Sequence, residues 1–371
     1  MIRLAGVLLV LAGLGFGSHH AIAQPVLSVC DYTPPESHIR DLGLRGSFQW
    51  YDGPYADDRA RTISITAGAD YALLISSPTS GHRVDAVADI LGSTDEWTFS
   101  LRGDGDVKSF WRDDVFGLGA FGLDASPDTL EVDATVGLGT GRFRDVTPMA
   151  KAIRIQNALL DLGVLLAPLE NEPLLAAAQV LGEVGPLDDE KTVTLSELLV
   201  STGLVRGDDL GVAALFAIEE IIGSAEGGRL CGGDLQGRIG VSALLLPEAS
   251  IATTGMVLYN AALVPDPVSQ VTSNASCKFR LARLDEWNLE ASVTYTRRLP
   301  EGWTARASYR LSYDHGWTAA GEANVSHAAS ASLTTQIFGA VGLSLAGELR
   351  YETDDEELTT SLTAHLAYDL F

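Results

Sequence analysis

The chain has 371 residues, 25 lysines and arginines against 49 aspartates and glutamates, and a formal net charge of −24. So acidic a surface repels nucleic acid, which removes that class of partner. Its three cysteines, Cys30, Cys231 and Cys277, show neither a CxxC pair nor metal-ligand spacing, so no structural metal site is expected and no cofactor is implied.

The first residues, MIRLAGVLLVLAGLGFGSHHAIAQ, place Arg3 before an apolar run from Leu4 to Phe16, with Ala21-Ile22-Ala23 preceding Gln24. This pattern predicts a secretory signal peptide at 1–23. The run is shorter than the ~20 apolar residues that a membrane helix needs. Residues 24–40 then form an exported, periplasmic segment.

Residues 41–145 read as six strands. Successive side chains of a strand point to opposite faces. Leu42, Leu44, Phe48 and Trp50 alternate with Gly43, Arg45, Ser47 and Gln49. Ile63 to Ile75 repeats the pattern, with Asp70 on the polar set, and Leu130 to Leu138 repeats it with Glu131 and Asp133. Weaker strands are expected at 81–91, 96–102 and 107–121. SPTSG, GSTDE, RGDGD and DASPD supply the turns. The glycine-rich GLGTGR at 137–142 does not match a phosphate loop and is expected to end a strand.

Residues 146–230 break the alternation. Thr147-Pro148 opens a helix that Gly163 ends, and Asn171 to Leu181 gives a second. Thr194-x-x-Glu197 reads as a capping box that starts a third, and Asp208-Asp209 precedes a fourth that stops at Gly223. Each helix has one apolar face. The insert could pack on itself, plug a lumen or dock a periplasmic partner.

Residues 235–371 give eight more strands. The stretch GWTARASYRLSYDHGW sets Trp303, Ala305, Ala307, Tyr309, Leu311 and Tyr313 against Thr304, Arg306, Ser308, Arg310, Ser312 and Asp314. Trp287 to Tyr295 alternates with Glu290 on its polar set, and Val341 to Tyr351 with Glu348 and Arg350. The strand at 322–334 would turn His327 to the apolar side, which leaves its register open. The total, fourteen, is even, as bacterial single-chain barrels require.

The chain ends on TTSLTAHLAYDLF, alternating and closing on Phe371. Here it resembles bacterial outer-membrane β-barrel proteins, porin-like, whose last strand usually ends in an aromatic residue. Asp369 departs from that pattern, because the family usually has a second aromatic two residues before the last. The resemblance implies Phe371 as the signal read by the barrel assembly machinery, and a multi-pass barrel in the bacterial outer membrane. The expected fold is an all-β membrane protein, an antiparallel transmembrane barrel of about 14 strands with a periplasmic α-helical insert. The rival, a secreted β-sandwich, would bury the same apolar faces.

Polar-set charges then face a lumen: Arg45, Asp70, Glu131, Asp133, Arg238, Glu290, Arg306, Arg310, Glu348 and Arg350 are the pore-lining candidates. Cys30 and Cys231 both fall at the periplasmic rim and are the candidate disulfide, with Cys277 able to compete. Ser326 and His327 are adjacent, so they point to opposite faces of a strand and do not form a catalytic pair. The function expected is a passive channel for small polar solutes or ions. The alternative is a non-transporting anchor or scaffold whose insert binds a partner. Outer-membrane lipid is a partner in both readings; the oligomeric state is left open.

Overall fold

The computed structural model describes residues 27–34, 36–55, 58–93, 97–112, 114–183, 185–224, 228–246, 249–316, 323–338, 341–352 and 358–368. Residues 1–23, where a signal peptide is expected, the side chain of Arg45 and the terminal Phe371 lie outside the described residues.

Among the described residues fourteen antiparallel strands close into one barrel in chain order. They are β1 (Ser37–Tyr55), β2 (Asp58–Ser76), β3 (Ser80–Ser93), β4 (Trp97–Phe110), β5 (Val115–Ala125), β6 (Leu130–Asp145) and β7 (Leu230–Leu246). β8 (Ser250–Asp266), β9 (Ser269–Arg280), β10 (Arg283–Arg298), β11 (Thr304–His315), β12 (Ala323–Phe338), β13 (Val341–Glu352) and β14 (Leu358–Tyr368) follow. Arg45 pairs with Ala367 where β1 meets β14.

The register shows which face meets which surroundings. Directly paired residues share a face, and the pairing carries one face around the whole wall. Val136, Leu138, Ile239, Phe121 and Leu349 lie on the outward face and stay more than half exposed. Asp106, Asp234 and Gln236 lie on the inward face and are buried. Apolar outside and polar inside is the arrangement of a membrane-spanning barrel, the reverse of a sandwich. Aromatic groups line the outward face toward the end remote from the termini, where the Trp287 and Tyr313 rings stack at 4.9 Å. His327 does face outward, and its Nδ1 lies 2.7 Å from the Tyr309 hydroxyl, which satisfies it there.

Three expectations about the strands need correcting. RGDGD is no turn: residues 102–106 lie inside β4, and the break comes at 111–114, so 107–121 is two strands. GLGTGR does not end its strand, because β6 runs on to Asp145. The flanking strands are also longer than read, β1 beginning at Ser37 and β7 at Leu230 rather than at 41 and 235. Glycines misled the reading, since they mark turns more often than strand interiors. Here Gly105 leaves room for the ring of Phe121, 2.7 Å from where a Cβ would stand, and aromatic cover over glycine keeps the strand continuous.

The insert folds into four helices: α1 (Thr147–Asp161), α2 (Asn171–Gly182), α3 (Asp188–Ser201) and α4 (Val212–Ile222). α3 starts at Asp188 rather than at the Thr194 box; Glu190 caps the Leu187 N–H, and the Thr194 hydroxyl donates to the Glu190 carbonyl at 2.9 Å. Leu159, Leu195, Leu199, Ile218 and Ala178 are fully buried in one core with Val29 and Tyr32 of the N-terminal segment. The barrel contributes only Cys231 and Val264 to that core among the described buried residues, both at the rim. The helices therefore sit on the end of the barrel that carries the termini. Lys151 is held at the C-terminus of α4, donating to the Ile222 carbonyl at 2.7 Å. At the seam, burial and the guanidiniums of Arg298 and Arg229 pull the pKa of Arg154 down to about 10.

Cys30 and Cys231 form a disulfide with a Cα–Cα distance of 5.5 Å, joining the segment before β1 to the start of β7. These strands stand six places apart in a ring of fourteen. The N-terminal segment therefore crosses the mouth as a strap. The Asp145 N–H donates to the Ser37 hydroxyl at 3.1 Å, and Ile39 packs on Gly228. The start of β1 thus meets the end of β6 and the lead-in to β7 across the opening.

Candidate functional site

The lumen has two unlike sectors. Behind the strap, β3, β4, β7 and β8 bring a charged network together. Lys108 reaches Asp234 at 2.6 Å and stands 3.8 Å from Asp106, and Arg238 stands 3.5 Å from Asp106. Asp234 also accepts from the amides of Gln236 and Asn260, both at 2.8 Å. The side chains of Lys108 and Asp234 are only 14% and 2% exposed.

Glycine permits this reach across two intervening strands. Gly139 on β6 admits the ring of Phe116, which is fully buried on the inward face of β5. Lys108 Nζ lies 5.0 Å over that ring. At Gly141 φ is +106°, a backbone region closed to most side chains, and this residue pairs with Asp234. The network edges a cavity of about 470 Å³ that extends to Arg83, Asp104 and Asn274.

The other sector is open. Glu290, Arg306, Arg310, Glu348 and Arg350 are on the inward face of β10, β11 and β13, and all five are exposed to solvent. Arg310 and Arg350 flank Ala328 in one hydrogen-bonded row, while Glu348 pairs with Ser330 and Ser330 with Ser308 in the next. Toward the end remote from the termini, Lys278 spans from β9 to Glu131 and Asp133 on β6, at 3.9 and 3.6 Å. The Ser242 hydroxyl donates to Glu131 at 2.6 Å. Asp70 folds over Gly43, where a Cβ would stand 2.6 Å from its carboxylate.

The sequence candidates therefore do not form a single cluster. Arg238 belongs to the packed network, Glu131 and Asp133 to the Lys278 bridge, and five others to the open wall. Sequence reasoning missed Asp106, Lys108, Asp234, Gln236 and Asn260. Of these, Asp106 is hidden when RGDGD reads as a turn. The others carried an inward signal in their alternation, with Asp234 and Gln236 in phase with Arg238. Ser326 and His327 diverge to opposite faces. Among the described residues no group of three or more histidine, cysteine or acidic side chains is placed to hold a metal ion.

No family model matches the chain, and no curated protein matches it in sequence. Solved outer-membrane structures are similar at low scores. The outer membrane protein OprD from Pseudomonas aeruginosa is 9% identical over 93% of this chain and 97% of its own, with a TM-score of 0.33. OpdK of Pseudomonas aeruginosa, solved with vanillate, is 7% identical over 90% and 96%, also at 0.33. The monoaromatic hydrocarbon channel CymD is 8% identical over 91% and 89%, at 0.30. Likeness at this level leaves the function to be read from the lumen.

Proposed function

We propose that the protein is an outer-membrane channel through which small polar solutes or ions pass passively along the open wall of β10–β13. The observation that carries this reading is the exposure of Arg306, Arg310, Glu348 and Arg350 inside a closed barrel. Charged side chains on an inward face that stay solvated require water beside them. A lumen filled by its own side chains would bury them, as it does behind the strap. Eight strands fill their interior and sixteen leave a channel; fourteen leaves room for both sectors. In this reading the termini, strap and helices face the periplasm, Phe371 is the assembly signal, and the wall performs no catalysis.

Planar-bilayer conductance of the purified protein tests the proposal, with stepwise channels expected. The second reading, a silent anchor that displays the helical module, is favoured by the packed network and by the strap across the mouth. A barrel that inserts without conductance would establish it in place of the channel.

A further inference from the structure

The outer surface of the helical module is unlike its seam with the barrel. Residues 146–230 hold thirteen carboxylates against five cations, a net charge of −8. Arg229 is buried at the seam, Lys151 and Arg154 are half-buried there, and Lys191 is held against the Leu181 carbonyl. The exposed side is left acidic, with Arg206 its one exposed cation among the described residues.

Into that acidic side opens a groove of about 560 Å³ between α3 and α4. Its floor is apolar, made by Val200, Leu210, Val212 and Leu215, and its rim carries Glu197, Asp208 and Asp209. Beyond the lining, one further exposed apolar group on each helix, Val193 and Phe216, stands at helical spacing from a lining residue. Val193 and Val200 stand seven apart on α3, and Val212 and Phe216 four apart on α4. Val193, Val212 and Phe216 are 57%, 69% and 64% exposed, although the module has a complete core beneath them. Large apolar groups left in water beside carboxylates do not stabilise this fold. They match a surface that is apolar along one stripe and basic on its flanks.

We propose that this groove docks a basic amphipathic helix of a partner protein on the same side of the membrane. An apolar stripe at i, i+3, i+4 and i+7 would lie on the floor, and lysines or arginines would meet the carboxylate rim. The fourteen residues of α3 give a wall of roughly 20 Å at 1.5 Å per residue, the length of a four-turn helix. The inference is independent of conduction, since the groove lies on the module and the open wall lies in the lumen.

The test uses the full chain held in amphipol, and a fluorescein-labelled 18-residue helix of leucine and lysine with leucines at that spacing. Controls are the same composition with leucines scrambled, and a leucine–glutamate helix. The leucine–lysine helix is expected to bind and to slow hydrogen exchange in 188–201 and 212–222. Val212→Ser, or Glu197→Gln with Asp208→Asn and Asp209→Asn, should each weaken binding about tenfold, the scale of a moderate hot spot. Glu170→Gln with Glu172→Gln, on exposed carboxylates of another helix, should leave it unchanged. Equal binding of the scrambled peptide, unchanged affinity in the groove variants, or protection elsewhere would overturn the proposal. Conductance is recorded on the same preparations. A silent barrel whose groove still binds the helix would count against the channel alone.

Discussion

Lys108→Met probes the packed side of the lumen. The side chains of Lys108 and Asp234 are 14% and 2% exposed and meet at 2.6 Å, with Asp106 a second carboxylate nearby. Methionine keeps most of the length of the lysine and removes its charge. Asp234 is then left with the Gln236 and Asn260 amides, and Asp106 with Arg238 at 3.5 Å. Breaking one partner out of a buried pair costs about 3–5 kcal/mol. The two surviving amide bonds, each worth roughly 1.5–3 kcal/mol to a charged acceptor, place the loss toward the lower end, near 3 kcal/mol. Reversible urea unfolding in lipid vesicles measures it. The double variant Lys108→Met with Asp234→Asn removes both charges and should recover at least half of the loss, because an amide is less costly to bury than an unpaired carboxylate. A loss under about 1 kcal/mol for the single variant, or a double variant less stable than the single, would refute a buried, mutually dependent network.

Arg306→Glu with Arg310→Glu should shift ion selectivity toward cations while leaving unfolding nearly unchanged, since both positions are solvated in the lumen; a reversal potential that does not move would place them off the path. Leu345→Arg, on the outward face, should cost about 2–4 kcal/mol in bilayers, whereas Arg306→Leu should cost little. Equal losses would contradict the assignment of faces. Cys30→Ser with Cys231→Ser opens a loop of 201 residues, worth up to about 5 kcal/mol in the chain-entropy model. The same variant releases the strap, so single-channel conductance should rise; an unchanged current would mean that the strap does not narrow the mouth.

The period-2 alternation made the wall legible. A strand between lipid and water must sort its side chains by face, so the fourteen strands and the inward position of Arg306, Arg310 and Glu290 followed from local pattern. Glycine-rich stretches were not legible in the same way. Gly103, Gly105, Gly137 and Gly139 signal turns by composition, yet here they sit in strand interiors, two of them beneath the rings of Phe121 and Phe116. Reading RGDGD as a turn removes Asp106 from the lumen set. The pairing of Lys108 with Asp234 spans 126 positions and crosses two strands, so no local period announces it. The strap escaped for a similar reason. Both cysteines were placed at one rim, but a rim is a circle, and a strand pattern does not say that a segment runs across it.

The strap alters how current should divide. A single cylinder behaves as one resistor, with its conductance set by its narrowest ring. On the proposed channel reading, the meeting of β1 with β6 across the opening would divide the terminal mouth into two paths in parallel, a narrow one beside the packed network and a wide one beside the solvated arginines. Parallel paths add conductances, so the wide one sets the mean current and is indifferent to the state of the narrow one. The narrow path would instead be read in the fluctuations. Rearrangement of the Lys108–Asp234–Arg238 side chains should appear as low-amplitude flicker on an otherwise steady open level, and Lys108→Met should change that noise more than it changes the mean.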